Sequence, residues 1–369
     1  MNFQYVFANL FSRPMRALAT ILAIAMEVVL ILLVVGLTQG MIRETTSRMA
    51  GVGADIVFRP PNSSVVLASS SAVLPADKFS ALLTGVVGVD QASPVLVYWN
   101  TDKGSELIFG IEEASFDRIS SGFIFLEGGP IQSDFDVIID DIKASSKNLK
   151  VGDTLDILNR PFRISGIVEH GKGVRIFVRL KTMQTLIGSP GKATLFFLKC
   201  RNRETISATL NRLTERLPGY QILPMGEFIS QMSEAYQNDV ALKYFLGIVK
   251  FIAISVGVFA IFLAMYTTIT ERTREIGILK SLGATKIFIL NVFMAEAMLL
   301  CFFGLLGGIG FSYLGVWMVE QWSRSLPILL TGEWMIKAGL ISFLSAALGA
   351  LYPALRAAAR DPIDALAFE

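Results

Sequence analysis

The segment richest in groups able to make specific contacts is residues 270–285, TERTREIGILKSLGAT. Glu271, Arg272, Arg274, Glu275 and Lys280 alternate in sign, while Ile276, Ile278, Leu279 and Leu282 are apolar. Gly283 is placed to end a helix, where a left-handed residue is favoured. The chemistry on offer is recognition rather than bond making. One reading is a short helix, charged on one side and greasy on the other, lying parallel to a membrane surface. The other is a solvated loop whose basic residues follow the charge asymmetry of cytoplasmic segments.

Bond-making groups are scarce. His170 is the one histidine, so histidine triads and histidine-based metal clusters are excluded, and no metal site is expected. The two cysteines, Cys200 and Cys301, lie in different regions and read as buried small hydrophobes. The chain has no G-x-x-x-x-G-K-[ST], H-E-x-x-H or G-x-S-x-G motif. A non-catalytic subunit with no cofactor of its own is expected. A formal net charge of +2 gives no nucleic-acid signal. His170, with Glu169 and Lys172 in a Gly-flanked loop, reads as a solvated hairpin tip or as a tip touching a partner.

The elements that position these residues are set by composition. Of 369 residues, 53% are hydrophobic and only 17% charged, where a soluble domain has about a quarter charged. The excess falls in four runs long enough to cross about 30 Å of hydrocarbon: Ala17–Leu37, Phe245–Ile269, Ile287–Val319 and Met335–Tyr352, the last closed by Pro353. The first is too long for a signal-peptide core and reads as a retained span. Arg13 and Arg16, then Arg272, Arg274, Lys280 and Lys286, then Arg356 and Arg360 place both termini and the second loop on the cytoplasmic side. The fold expected is a multi-pass α-helical membrane protein, four spans with N-in and C-in. A large extracytoplasmic α/β domain carries a β-rich inserted subdomain.

In order, the chain reads as an amphipathic interfacial helix (1–16), span one (17–40), the outer domain (41–239), span two (245–269), the 270–286 segment, span three (287–320), a short outer loop (321–334), span four (335–355) and a cytoplasmic tail (356–369). Within the outer domain, strand and helix patterns give β-α-β-β, an insert at about 112–190, then β-α-β. That suggests a platform (about 50–111 and 191–225) interrupted by a mostly β insert. From Gly226 to Ile269 the absence of proline predicts one long helix, a stalk (226–244) running into span two, and residues 38–50 can extend span one likewise.

Two acids fall inside spans. Glu27, near mid-bilayer, must be protonated, paired or at an interface, so it reads as a structural hydrogen-bonding group or a switch between protomers. Glu296 lies nearer the cytoplasmic side and reads as structural. Gly304 and Gly308 make a small-residue face for close helix contact, within the chain or across a dimer.

ERTREIGILKSLGAT, followed by MAEAMLL, GLLGGIG and YPALRAAARDPIDAL, is similar to the MacB/FtsX-type permease family, the type VII ABC transporters. The opening FANLFSRPMRALAT resembles that family too. The resemblance implies that 270–285 is a coupling helix docking on a separate cytoplasmic ABC ATPase, which binds the ATP and Mg. The charged residues would then set register through ion pairs, and Ile276, Ile278 and Leu279 would anchor. Tyr352, Pro353, Arg356 and Pro362 resemble the family's end motif, which touches the ATPase or forms a local cap. Also implied are a second permease protomer (a copy or a paralogue), a periplasmic adaptor, an outer-membrane protein and membrane lipids as partners. The location implied is a bacterial inner membrane with the large domain in the periplasm. The expected function is mechanotransmission that exports or extracts a periplasmic or outer-leaflet substrate. The alternative is an FtsX-like transmitter that transports nothing and activates a cell-wall hydrolase.

Overall fold

The computed structural model describes residues 14–64, 66, 72–100, 106–322 and 326–361. The proposed interfacial helix therefore lies almost wholly outside the described residues, as do Pro362 and the tail beyond it. The chain divides into two compact units, an outer one of residues 41–239 and one holding the long apolar helices.

Helix α1 (Pro14–Ala50) is unbroken over 37 residues, about 55 Å at 1.5 Å per residue, far more than a bilayer requires. Beyond it the outer unit runs β1 (Ile56–Arg59), β2 (Leu74–Pro75), α2 (Ala76–Thr84), β3 (Val89–Asn100), β4 (Glu106–Ile111), α3 (Glu113–Ser120), β5 (Phe125–Gly128), β6 (Asp136–Asp140) and α4 (Asp141–Lys147). It continues with β7 (Thr154–Ile157), β8 (Arg160–Val168), β9 (Ile176–Arg179), α5 (Leu180–Leu186), β10 (Lys192–Ala193), β11 (Leu195–Cys200), α6 (Ile206–Arg216), β12 (Gln221–Pro224) and α7 (Met225–Asn238).

One large sheet runs β12-β1-β11-β3-β4-β9-β6-β8-β5, with β7 on β8. The insert is thus continuous with the platform. Its β9 pairs in parallel with β4, Phe109 opposite Phe177 and Ile108 opposite Ile176. It is also less purely β than expected, since α3, α4 and α5 lie within it. These helices have eight, seven and seven residues, too few for a helical period to stand out.

The core explains why the unit holds the ends of two helices that lead elsewhere. Phe109, Phe116, Phe177 and Phe197 pack in one cluster with Met49 and Val52, at the end of α1, and with Phe228 and Met232 of α7. Polar contacts fix the same place. Arg175, just before β9, pairs with Glu44, which also lies 3.6 Å from Arg48. The Gly173 N–H donates to the Arg48 carbonyl at 2.7 Å, and a β-carbon on Gly51 would lie 1.8 Å from the Gly171 carbonyl oxygen. The His170 loop is therefore no free hairpin tip: its glycines seat it on the end of α1. The imidazole Nδ1 itself lies 3.0 Å from Asp141 Oδ1.

Asp136 organises the far side of the sheet. It is fully buried and accepts from the backbone N–H of Ser133 at 2.8 Å and of Gln132 at 3.1 Å, and from Arg163 Nε at 3.1 Å. Burial alone would raise its pKa, but these donors outweigh burial and bring it down to about 2.

Helix α7 ends at Asn238, and Asp239 takes an extended ψ of 125°. The continuous helix expected from Gly226 to Ile269 is therefore two, α7 and α8 (Val240–Glu271). Asn, Asp and Val meet here, and all three disfavour helix interiors. After a short α9 (Thr273–Ser281) come α10 (Lys286–Trp322) and α11 (Gly332–Ala359). Among the described residues α1, α8, α10 and α11 are the four helices long and apolar enough to cross a membrane.

Pro353 does not close the fourth span. It is buried inside α11, which continues to Ala359. Close packing tolerates it there: Ala346, Gly349, Ala350 and Ala354 are buried, and a β-carbon on Gly349 would stand 2.6 Å from the Val258 carbonyl oxygen of α8. Gly304 and Gly308 of α10 likewise face this chain's own α1. A β-carbon on either would come within 2.6 Å of Ile24 Cβ or Val28 Cβ respectively.

Two outcomes test this packing. Gly308→Leu should lower stability in detergent by about 1–3 kcal/mol, read as a lower thermal midpoint, while Gly310→Leu, which meets nothing within 4 Å, should leave it unchanged. Asp136 has a folded pKa of about 2 against 3.8 unfolded, so its contribution is complete above pH 3.8 and lost as pH falls through about 2. Asp136→Asn should cost about 2 kcal/mol at pH 7, read by urea titration of hydrogen-exchange protection in β6 and β8. The difference from wild type should shrink between about pH 4 and pH 2.

Candidate functional site

At the end of α8 the backbone turns at Arg272 (φ −100°, ψ 18°), and nine residues of α9 follow. The helix stops in a Schellman arrangement. The Ala284 N–H donates to the Leu279 carbonyl and the Gly283 N–H to that of Lys280, both at 3.0 Å. Gly283 supplies the φ of +98° that this turn needs.

One face of α9 belongs to the chain itself. Ile276 is buried with Ile269, Ile289, Phe293, Ala354 and Ala357, and Leu279 packs beside them. Three of the charged groups expected to reach a partner are instead engaged internally. Glu271 receives two hydrogen bonds from the Arg16 guanidinium, both 2.7 Å, across 255 positions of sequence. Arg272 lies 3.7 Å from Glu296 of α10. Lys280 Nζ donates to the Ala358 carbonyl at 3.0 Å and to that of Arg360, capping the end of α11. Arg360 Nη1 in turn donates to Thr273 Oγ1 at 3.0 Å.

The other face is open. Arg274 and Glu275 are exposed, without an ion pair among the described residues. Ile278 is 45% and Leu282 79% exposed. Positions 274/275, 278 and 282 recur every three to four residues and so share one side of the helix. The ten residues named from sequence thus separate into five that are fastened (Glu271, Arg272, Ile276, Leu279, Lys280), four that are exposed (Arg274, Glu275, Ile278, Leu282) and Gly283, which ends the helix. A helix of this length cannot bury both faces while lying at the edge of its own bundle.

Of the C-terminal motif residues, Arg356 and Tyr352 of α11 pack against α8. Arg356 stacks over the Tyr266 ring at 5.9 Å, and the Tyr352 ring lies 6.1 Å from that of Phe262. Glu27 is also internal. It is 2% exposed, its Oε1 accepts from Ser345 Oγ of α11 at 2.9 Å, and a β-carbon on Gly257 of α8 would stand 1.9 Å from its Oε2. The carboxyl is enclosed by α1, α8 and α11 of this chain. Arg16, Arg360 and the α11 carbonyls were missed as parts of the site, because contacts between residues so far apart leave no local pattern. Among the described residues no group of three His, Cys, Asp or Glu side chains could hold a metal ion.

A four-helix membrane unit, a large α/β unit after the first helix and a short amphipathic helix between the second and third describe a transporter permease. Residues 17–216 match the MacB-like periplasmic core domain and residues 247–362 the FtsX-like permease C-terminal domain. The chain belongs to this MacB/FtsX-like family of ABC transporter permeases. It is 25% identical to the uncharacterized ABC transporter permease YknZ of Bacillus subtilis, over 100% of this chain and 99% of that one. It is 25% identical to the macrolide export ATP-binding/permease protein MacB of Mannheimia succiniciproducens, over 100% of this chain but 61% of that relative's length. The crystal structure of the periplasmic region of MacB from Actinobacillus actinomycetemcomitans aligns at 16% identity with a TM-score of 0.38, covering 52% of this chain and 97% of that one. Membership of an ABC permease family implies an ATPase partner.

Lys280→Met should release the end of α11 from α9. Tryptic cleavage after Arg360 should become several-fold faster than in wild type, read by mass spectrometry of timed digests, with the sites other than position 280 cut at unchanged rates.

Proposed function

We propose that this chain is the permease subunit of a mechanotransmission complex in a bacterial inner membrane. A separate cytoplasmic ATPase binds ATP and Mg and seats the free face of α9. Two permease protomers, copies or paralogues, work as a pair. Hydrolysis moves α9, and the motion passes along α1 and α8 to the outer unit in the periplasm, which expels or extracts a periplasmic or outer-leaflet substrate such as a peptide, drug, lipid or lipoprotein. An adaptor and an outer-membrane protein complete the route.

The observation that carries this reading is the division of α9. Ion pairs and buried aliphatic residues fasten one face to α8, α10 and α11, while Arg274, Glu275, Ile278 and Leu282 remain exposed on the other. A helix both rigidly mounted and open on one side can take a push from a partner and deliver it to the spans. The relative named as a macrolide export ATP-binding/permease protein exceeds the matched length, which supports a permease role for the shared region.

The test is association and turnover. Ile278→Asp with Leu282→Asp, or Arg274→Glu alone, should weaken binding of the co-purifying ATPase by about thirtyfold, the scale of a lost interface anchor, and reduce ATP turnover of the complex in step. Unchanged association in both variants, with the chain still monodisperse, would remove α9 as the docking element.

A further inference from the structure

From Phe251 to Thr270 helix α8 carries no charged residue, and the run is opened by Lys250 and closed by Glu271. That is about 31 Å of helix. In α11 the uncharged stretch is bounded by Lys337 and Arg356, about 29 Å. Both lengths match the hydrocarbon core of a bilayer, about 30 Å. Glu271 and Arg356 mark one boundary, on the side of α9. Lys250 and Lys337 mark the other, at the end of α8 that begins with Val240.

At this second boundary both lysines converge on one indole. Lys250 Nζ lies 4.7 Å and Lys337 Nζ 4.6 Å from the centroid of the Trp334 ring. Lys337 also reaches Glu333, one turn earlier in α11. Lys250 is half-buried and has no carboxylate partner among the described residues. Two ammonium groups thus share one ring and one carboxylate. A ring quadrupole attracts each cation by about 0.5–2 kcal/mol but does nothing to relieve the repulsion between them. The cluster is one negative charge short, and it lies at the end of the uncharged runs of α8 and α11. It also sits on the side where cations near span ends are scarce.

We propose that Lys250, Lys337 and Trp334 form a binding site for the headgroup of an anionic phospholipid in the outer leaflet. The phosphate sits between the two ammonium groups and neutralises the surplus charge. Glu333 stays on Lys337, so one headgroup of net charge −1 completes the balance. The acyl chains follow Leu340 and Leu344, which are 61% and 64% exposed and lie three and seven residues beyond Lys337 on the same side of α11. The site requires neither an ATPase nor a second protomer, so it stands or falls apart from the proposed function.

The experiment is lipid retention by the purified full chain in neutral detergent, counted by native mass spectrometry while phosphatidylglycerol or phosphatidylcholine is titrated in. Wild type should hold phosphatidylglycerol about tenfold more tightly than phosphatidylcholine, the scale expected for two interfacial lysines. Lys250→Gln with Lys337→Gln should abolish the preference, while Lys250→Arg should keep it and shows that loss of charge rather than of fold is responsible. Equal retention of the two lipids by wild type, or an undiminished preference in the double Gln variant, overturns the proposal. Inorganic phosphate at the concentration of the lipid should not compete. Displacement by it would assign the site to a soluble anion and overturn the lipid assignment.

Discussion

Four charged side chains meet where the apolar spans end: Arg16, Glu271, Arg272 and Glu296. They come from α1, from the junction of α8 with α9, and from α10, and they form two ion pairs of opposite sense. Charges at this depth must be matched by the chain or reach water. Matching them internally ties three spans together at the root of α9. The position of that short helix is thus set by electrostatics at the membrane edge, and the aliphatic cluster around Ile276 fills in behind it. Without this junction α9 would be held to the spans by the Ile276 cluster and the Lys280 contacts alone.

The same logic appears in the outer unit in apolar form. Met49 and Val52 from the end of α1 share a core with Phe228 and Met232 of α7. The unit grips the two segments that connect it to the spans through a phenylalanine cluster, and a sheet that runs without interruption from platform to insert carries that grip across its width. Packed interiors deform little, so a displacement of either helix end is felt by the sheet as a whole.

Much of this was legible in the amino-acid order. The spans announce themselves by length and hydropathy, and the outer domain by its alternation of strand and helix patterns. The family resemblance rests on residues 270–285 and the C-terminal YPALRAAARDP. What stayed hidden is physically coherent. The helices of the insert are too short to show a period. The division of α9 into used and free faces depends on Arg16 and on the α11 carbonyls, both distant in sequence. The surroundings of Glu27 were not legible, because the sequence cannot reveal that Ser345 and Gly257 complete them. Pro353 was read as a terminator, since the small residues that allow it inside a packed helix act through a neighbouring helix. The sequence also passes over Lys250, one polar residue in an otherwise greasy run, whose setting only Trp334 and Lys337 define.

The two connections differ in kind. α1 passes from Pro14 to Ala50 without interruption, whereas the other is divided at Asp239 by a single extended residue. An unbroken helix resists both bending and twisting. A one-residue link passes tension but lets its two sides swivel about the bonds of that residue. Of the two connections α1 is therefore the stiff one, and Asp239 is the point at which the other can turn.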